Sequence, residues 1–187
     1  QLTGVTTPAG QQSSYVYDIQ GNLIRSVDAR GSVVEMAYDA NGNQILQRDA
    51  LGNTITRAYD PVRNLLLTET TYQIADADGA GPGQPGRAQT VRYVYDAAGH
   101  LRFQISAVGR TIEYRYNAKG ERIASVQYAA DLFDNSALAS TVPPRAAAIA
   151  AHVLIYSKTS QTVRLFYEHV ARGLLARTLS YGAVDAA

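Results

Sequence analysis

The stretch YVYDIQGNLIRSVDARGSVVEMAYDANGNQILQRDALGNTITRAYD, residues 15–60, contains the same tyrosine–aspartate pattern three times. The dipeptide returns further along the chain, so that successive tyrosines are 21, 21, 36 and 21 residues apart, at Tyr17-Asp18, Tyr38-Asp39, Tyr59-Asp60, Tyr95-Asp96 and the variant Tyr116-Asn117. A constant period is typical of repeat proteins, in which one supersecondary unit buries its apolar face only against its neighbours. The repeated unit therefore decides the fold.

Large side chains alternate before each repeated tyrosine, as in Val34, Met36 and Tyr38. A period of two predicts β-strands, because alternate residues of a strand share a face. After each strand the pattern Asp-x-x-Gly predicts a turn, since aspartate accepts hydrogen bonds from nearby N–H groups and glycine takes a positive φ. A second turn recurs at Asp28 and Asp49, with a weaker copy at Ser106. The sequence therefore predicts an all-β fold, an antiparallel β-hairpin meander forming an open, curved or spiral sheet.

The repeated positions are expected to be structural rather than chemical. The tyrosines pack the strand ends and the aspartates and glycines form the turns, at Tyr17, Asp18, Gly21, Tyr38, Asp39, Gly42, Tyr59, Asp60, Tyr95, Asp96, Gly99, Tyr116 and Gly120. Paired carboxylates can act as general acid and base, but identical residues at identical points of a repeat have identical structural roles. His100, His152 and His169 lack the spacing of a metal site or a catalytic triad. We predict no catalytic, cofactor-binding or metal site.

Two segments interrupt the period. Residues 73–90, QIADADGAGPGQPGRAQT, are predicted to be a loop insertion between two strands. Asp76 and Asp78 raise calcium binding as an alternative, although an EF-hand loop that used them would need ligands at Ile74 and Pro85. Calcium binding stays open at this point.

Residues 129–160 form the second insertion and are predicted to contain one short helix. Ser140 or Thr141 can cap it, and Pro143 and Pro144 suit a first helical turn. A stripe of large side chains follows at Ile149, Val153 and Tyr156. The helix is expected to cover apolar sheet surface or a sheet edge, with recruitment of a ligand as the alternative.

Three copies of the repeat, YDIQGNLIRSVDARG, YDANGNQILQRDALGN and YDAAGHLRFQISAVGR, resemble the tyrosine-aspartate (YD) repeats of the bacterial Rhs family. The resemblance covers residues 13 to about 128. LFYEHVARGLLARTLSYG suggests one more degenerate hairpin over residues 161–182, with Tyr167-Glu168 in the dipeptide position and Gly173 two residues late. The family implies a long β-sheet that spirals into a hollow shell, often around a C-terminal toxin, in secreted or surface proteins. The family's aspartyl protease motif is not matched by Asp60-Pro61, which lies inside a repeat.

Composition limits the partners. Because 17 basic and 16 acidic side chains are interspersed, the chain lacks the basic patch that nucleic acid requires. The absence of cysteine excludes disulfides and thiolate sites, and no apolar run has the length of a membrane span. The chain begins at Gln1, and residues 1–187 are interpreted as one YD-repeat sheet segment of a longer protein.

The predicted function is a non-enzymatic structural segment of a large exported Rhs/YD-repeat protein, outside the cell or on the bacterial surface. It would form part of a shell or spacer, and its partners would be neighbouring repeats of the same or identical chains and a C-terminal toxin cargo. The alternative is an adhesin module that binds a glycan or a host protein through a tyrosine-rich sheet face. That face would carry ladders of Tyr15, Tyr17, Tyr93, Tyr95, Tyr114 and Tyr116, which share one parity along their strands.

Overall fold

The computed structural model describes residues 1–76, 85–128, 132–156, 162–169 and 175–181. Within these ranges the chain forms thirteen β-strands and one α-helix. In chain order the elements are β1 (Gly4–Thr6), β2 (Gln12–Tyr17), β3 (Leu23–Val27), β4 (Val33–Tyr38), β5 (Gln44–Arg48), β6 (Thr54–Tyr59), β7 (Leu66–Ile74), β8 (Gly86–Tyr95), β9 (Leu101–Ile105), β10 (Thr111–Tyr116), β11 (Arg122–Tyr128), α1 (Ala146–Tyr156), β12 (Thr162–His169) and β13 (Leu175–Tyr181).

Each strand lies beside the strands that precede and follow it in the sequence, so the sheet order is β1 to β13 without a crossover. The predicted antiparallel meander is confirmed. Short turns join most neighbours, which is the connection that antiparallel pairs permit. The chain divides into two compact units, Gln1–Thr90 and Val91–Ala187, and the division falls within β8.

The second unit contains the apolar core. Val94, Phe103, Ile105, Val126 and Tyr128 are buried on one face of strands β8 to β11, and Ile149 and Val153 of α1 pack against them. Ile105 and Ile149 have no exposed surface at all, and burying a side chain of this size contributes about 1.5–3 kcal/mol. The prediction that the helix covers apolar sheet surface agrees with this packing.

In the first unit, the buried side chains are mostly threonines. Thr54, Thr68, Thr70 and Thr90 each retain 5% or less of their exposed surface. Thr56 lies opposite Thr70 in the register of β6 and β7, and the Thr70 and Thr90 hydroxyl oxygens are 2.8 Å apart. The Thr54 hydroxyl donates to the Gly52 carbonyl at 3.1 Å. Hydrogen bonds of this kind make burial of polar side chains tolerable.

A β-bulge recurs at the end of each strand that ends at a repeated tyrosine. The register shifts by one residue immediately before the repeated tyrosine, at Val16/Tyr17, Ala37/Tyr38, Ala58/Tyr59, Val94/Tyr95 and Arg115/Tyr116. A bulge bends its strand and increases the local twist. The repeat therefore contains a bend in each hairpin that strand periodicity did not predict.

A bulge of the same kind in the last hairpin shows that the predicted position of the tyrosine–aspartate pair there, Tyr167-Glu168, was wrong. In β12 the shift falls between Glu168 and His169, and His169 lies opposite Leu175. This is the separation seen for Tyr17 opposite Leu23. His169, not Tyr167, therefore occupies the tyrosine position, and in the sequence Gly173 then has the same offset from it as Gly21 has from Tyr17. Gly173 itself lies outside the described residues.

The boundaries of the two insertions also differ from the expectation. Strands β7 and β8 extend to Ile74 and from Gly86, so both ends of the segment 73–90 are strand rather than loop. Helix α1 begins at Ala146, after both prolines, and the Arg145 carbonyl accepts hydrogen bonds from Ala148 and Ile149 at 3.0 and 3.3 Å. Ser140 and Thr141 therefore do not cap it.

Arg92 holds the segment that precedes the helix. Its buried guanidinium donates hydrogen bonds to the carbonyls of Val142 at 3.2 Å and Leu138 at 3.1 Å. These hydrogen bonds tie the segment that precedes the helix to strand β8. Burial lowers the pKa of the Arg92 guanidinium from its ordinary value.

Candidate functional site

The repeated aspartates form turns along the sheet edge that follows the tyrosines, here called the tyrosine edge. One Asp18 carboxylate oxygen accepts hydrogen bonds from the N–H groups of Gln20 at 3.0 Å and Asn22 at 2.8 Å. Asp39 binds Asn41 and Asn43 in the same way, both at 2.9 Å. The glycine of each turn has the positive φ that the turn requires, 93° at Gly21 and 82° at Gly42.

A residue four positions after the aspartate completes each turn. The Asn22 side-chain amide donates to the second carboxylate oxygen of Asp18 at 2.9 Å, and the Asn43 amide does the same to Asp39 at 2.9 Å. These side-chain hydrogen bonds are the largest influence on the carboxylates and lower the pKa of Asp18 and Asp39 below the ordinary value. The full motif is Asp-x-x-Gly-Asn, and we call this arrangement the turn clamp.

The asparagine of the clamp is a structural residue that the sequence reasoning missed. Its signal was present, because Asn22, Asn43 and Asn53 stand at one offset from an aspartate.

Two copies replace the asparagine and keep the contact. His100 places Nδ1 3.1 Å from the second oxygen of Asp96, and its ring stacks on Tyr116 with centroids 4.8 Å apart. Burial raises the pKa of Asp96, but hydrogen bonds from the His100 backbone and side chain outweigh burial, so the pKa of Asp96 lies below its ordinary value. At Asn117 the roles are exchanged, since its amide donates to Glu121 at 2.6 Å.

The turn at Asp60 is one residue longer and has no glycine. The Asn64 N–H donates to the Asp60 carbonyl at 2.9 Å, and Asn64 has a φ of 59°. Asparagine is among the few residues besides glycine that accept this conformation. Asp60 still binds two N–H groups, those of Val62 and Arg63, at 2.9 Å each.

The opposite sheet edge has its own row of turns. Asp28 and Asp49 bind the N–H groups two and four residues on, at 2.8 to 2.9 Å. Backbone hydrogen bonds from Ser32 and Arg30 lower the pKa of Asp28. Thr7 begins a further copy, because its hydroxyl accepts the Gln11 N–H at 3.2 Å and Gly10 has a φ of 79°. The repeat thus begins before residue 13, where the sequence pattern becomes clear.

Successive turns of the tyrosine edge also bind one another. The Asn43 amide donates to the Asn64 side chain, and the Asn41 amide donates to the Pro61 carbonyl at 3.3 Å. The Gln1 amide donates to the Gly21 carbonyl at 2.9 Å. Positions 1, 22, 43 and 64 are all amides and are 21 residues apart, so an amide column follows this edge of the sheet.

Both insertions return to a glycine of the opposite edge. The Asp76 N–H donates to the Gly52 carbonyl, and the Phe133 N–H donates to the Gly109 carbonyl, each at 2.9 Å. Both glycines are buried and have φ values of 81° and 86°. Because β7 pairs with β6 and β11 with β10, the chain leaving either strand meets the turn one hairpin back. The opposite-edge glycine is therefore a docking point for inserted chain.

The Asp76 carboxylate, which the calcium alternative would use as a ligand, lies next to an arginine. The Asp76 carboxylate is 4.0 Å from a guanidinium nitrogen of Arg48, which also pairs with Glu35. Asp78 lies outside the described residues. Among the residues that the structure does describe, no group of three or more His, Cys, Asp or Glu side chains is arranged to hold a metal ion.

Glu113, in the core of the second unit, is the most buried acidic residue that the structure describes. Its carboxylate accepts hydrogen bonds from Arg102 and Tyr128 at 2.9 Å and from Arg115 at 2.8 Å. Burial raises the pKa of Glu113, but the Arg115 and Tyr128 hydrogen bonds and the two guanidinium charges reverse the shift and lower it. Burial and the neighbouring carboxylate raise the pKa of Tyr128 to about 12. Neither group changes protonation near neutral pH, as a general acid or base must.

The tyrosine-rich face is built differently from the predicted ladders. Cross-strand register places Tyr15 opposite Ser26, Tyr93 opposite Gln104 and Tyr114 opposite Ser125. The Arg122 guanidinium lies between two rings instead, 5.3 Å from the Tyr114 centroid and 5.0 Å from that of Tyr167. Cation–π contacts of this kind contribute about 0.5–1 kcal/mol at exposed sites.

No helix among the described residues has the length and apolarity that crossing a bilayer needs.

Comparison with known proteins agrees with the repeat architecture. The sequence model of the teneurin YD-shell family matches residues 2–131. No curated protein sequence is significantly similar.

Similar solved structures include three toxin-complex assemblies. The crystal structure of TcdB2-TccC3-TEV has 13% sequence identity and a TM-score of 0.51, covering 91% of this chain and 9% of that one. The crystal structure of TcdB2-TccC3 without its hypervariable C-terminal region has 15% sequence identity and a TM-score of 0.51, and the match covers 91% of this chain and 9% of that one. The structure of the Photorhabdus luminescens Tc holotoxin pore has 13% sequence identity and a TM-score of 0.50, and the match covers 92% of this chain and 9% of that one. At these identities the similarity shows the fold, and the chain spans about a tenth of the length of the chains it matches.

Proposed function

The chain belongs to the teneurin YD-shell family, and from this premise we propose that it is a non-enzymatic structural segment of a β-sheet wall in a large exported protein. The wall would enclose a toxin cargo encoded after the repeats. The observation that carries this proposal is the turn clamp, which occurs along both sheet edges and uses the periodic carboxylates as hydrogen-bond acceptors for backbone N–H groups.

The clamp supports a structural role because it occupies the repeated carboxylates with hydrogen bonds from their own turns. Asp18, Asp39 and Asp49 each bind an asparagine amide as well as backbone N–H groups. Their pKa values are lowered, so they stay ionised and do not deliver protons. A wall needs many equivalent, rigid turns, and each hairpin provides one.

The repeated bulge and the amide column support the same role. A bulge recurs at one fixed place in each of these hairpins, and a bulge bends its strand. Within the column, Gln1 binds the turn at Asp18, and Asn43 and Asn64 link the turns at Asp39 and Asp60. Together they favour a continuous curved wall over an isolated sheet.

The test uses the full-length protein that contains this segment. Limited proteolysis is followed with an antibody against the region encoded after the repeats, for the parent and for an Asp39→Ala/Asn43→Ala double variant. Gln20→Ala is the matched control, since Gln20 contributes only its backbone N–H to a clamp. We expect the downstream region to be protected in the parent and in the control, and to be cleaved faster in the double variant. A downstream region that is cleaved equally fast in all three proteins would contradict enclosure.

One observation favours the adhesin as a second candidate. A surface depression of about 330 Å³ is lined by Asp96, Arg102, Arg115, Tyr116 and Ile123. A ring beside polar side chains is a composition that can hold a sugar. Glycan-array binding that is lost in Tyr116→Ala, but not in Tyr17→Ala, would favour this function over the wall.

A further inference from the structure

Two arginines that depart from the repeat lie side by side at the surface depression described above. One is Arg115, the residue before a repeated tyrosine, where the other four hairpins have Val16, Ala37, Ala58 and Val94. The other is Arg102, the residue that its bulge omits from the register, where the other hairpins have Ile24, Ile45, Leu67 and Ile123. Both positions are apolar everywhere else among these hairpins, so the two arginines need a local explanation.

One buried carboxylate holds both arginines. Glu113 is 4% exposed and accepts a hydrogen bond from one nitrogen of each guanidinium, at 2.9 Å from Arg102 and 2.8 Å from Arg115. Arg102 also donates to the Tyr114 carbonyl at 2.6 Å. Each guanidinium has five N–H donors, and the side chains remain 34% exposed at Arg102 and 48% exposed at Arg115. Glu113 therefore positions two guanidiniums that are still open to solvent.

The charges around the depression favour an anion at the two arginines. Both guanidiniums share the single carboxylate of Glu113, so this contact leaves one positive charge uncompensated. Asp96 also lines the depression, and its two oxygens are bound by its own turn, at 2.9 Å from the His100 backbone nitrogen and 3.1 Å from its Nδ1. The Asp96 charge keeps the expected affinity low. A carboxylate is an anion whose two oxygens match the fork of a guanidinium.

We propose that this depression binds a carboxylate-bearing sugar of the uronic acid class, with its carboxylate on Arg102 and Arg115. A volume of about 330 Å³ lies at the small end of the range for ligand sites and suits a single sugar ring. Tyr116 and Ile123, which is 38% exposed, provide the apolar surface on which the C–H groups of the ring pack. The inference rests on the second candidate function given above for this depression, and it adds the class of ligand.

The sheet around the depression favours a sugar over an acidic peptide. Arg102, Arg115 and Ile123 lie on β9, β10 and β11, and each of these strands has a paired neighbour on both sides. Neither side of these strands is open to an added peptide strand, whose main-chain hydrogen bonds supply the affinity when a peptide extends a sheet. A sugar needs side-chain donors and an apolar surface, and the depression has both.

The experiment compares two sugars that differ in the carboxylate. Methyl β-D-glucuronide and methyl β-D-glucoside, which has CH2OH in place of the carboxylate, are titrated into the isotope-labelled 187-residue chain and followed by NMR. We expect the glucuronide to shift the amide resonances of Arg102, Arg115 and Tyr116 with a Kd of about 1 mM, a weak affinity typical of a ligand with one ring. The glucoside and N-acetylaspartic acid amide, which carries a carboxylate on a peptide backbone, should each bind about tenfold or more weakly.

Substitutions test the charge that the site presents. Ile123→Lys and Ile123→Glu alter an exposed rim position and leave Glu113 with both of its arginines, and Ile123→Gln is their neutral reference. We expect the lysine variant to bind glucuronide about threefold more tightly than this reference and the glutamate variant about threefold more weakly. Arg115→Ala should weaken binding about tenfold or more, with far-UV circular dichroism as the check of folding. Arg110→Ala, which removes an exposed arginine from the opposite edge, should bind as the parent does.

Equal affinities for glucuronide and glucoside would overturn the proposal, as would the same glucuronide affinity in Ile123→Lys and Ile123→Glu. Tighter binding of N-acetylaspartic acid amide than of glucuronide would overturn it in favour of a peptide ligand. Absence of any resonance shift with glucuronide would also overturn it. In that case, Tyr116-dependent binding of a neutral sugar on the glycan array would still support the adhesin, and proteolysis of the full-length protein would decide the wall function separately.

Discussion

Substitution of Gly109 by alanine tests whether the opposite-edge glycine is a docking point for inserted chain. Gly109 has a φ of 86°, and a Cβ atom built there would lie 2.2 Å from the Phe133 carbonyl oxygen and 3.0 Å from its nitrogen. Backbone atoms cannot rotate away as a side chain can. Gly31 is the matched control, since it occupies the equivalent turn with a φ of 85° and has nothing within 4 Å of the same position.

The expected magnitudes follow from these two environments. Gly31→Ala introduces only left-handed strain, about 1–2 kcal/mol. Gly109→Ala adds to that strain the loss of the hydrogen bond from Phe133 to Gly109, about 1 kcal/mol. Displacing Phe133, which packs against the core cluster, costs about 1 kcal/mol more. We therefore expect a loss of about 3–4 kcal/mol in the free energy of unfolding for Gly109→Ala.

Two measurements separate the global loss from the local one. Urea unfolding followed by far-UV circular dichroism gives the change in unfolding free energy for both variants. Hydrogen exchange of the Phe133 amide reports the docking contact, and should become faster in Gly109→Ala and remain unchanged in Gly31→Ala. If both variants lose the same free energy, or if the Phe133 amide exchanges at the parent rate in Gly109→Ala, the docking explanation is refuted.

Three further outcomes are expected. Gly42→Val should lower the urea midpoint more than Asp39→Ala does. A β-branched side chain at a φ of 82° is strained, whereas water can replace the exposed hydrogen bonds of the clamp. Aspartate variants that all have lower urea midpoints than Gly42→Val would contradict this expectation. Stability should fall as the pH drops below about 3.8, the ordinary aspartate pKa. The folded-state pKa values are lowered at Asp18, Asp28, Asp39, Asp49 and Asp60, so the stability that these carboxylates contribute above the unfolded-state pKa is lost as they become protonated in the folded protein. A melting temperature that does not fall in this acidic range would contradict a contribution of the clamps to stability. Glu113→Gln should lower the free energy of unfolding by about 2–3 kcal/mol, because it leaves Arg102 and Arg115 without their carboxylate. Glu69→Gln, in the more exposed pair with Arg57, should lower it by less than about 1 kcal/mol. Equal losses of free energy in urea unfolding would contradict an effect of burial.

The sequence by itself determined the strands, the turns and their order. A hairpin is a local structure, and its information lies within one repeat. Alternation before Tyr38 defines a strand face, Asp39 and Gly42 define the turn that follows, and consecutive hairpins can pair only with their neighbours in a meander. Even the clamp asparagine, which was overlooked, lies four residues from its partner and was readable at Asn43.

The tertiary structure alone decided the features that join distant parts of the chain. Arg92 holds the carbonyls of Leu138 and Val142 in the segment before the helix, although some 50 residues separate them and no local pattern connects them. The docking of Asp76 on Gly52 and of Phe133 on Gly109 depends on where the strands deliver the inserted chain. The bulge that places His169 in the tyrosine position depends on pairing with the next strand. Register and long-range hydrogen bonds are set by which backbone groups meet after folding, and a period along the sequence contains no information about that meeting.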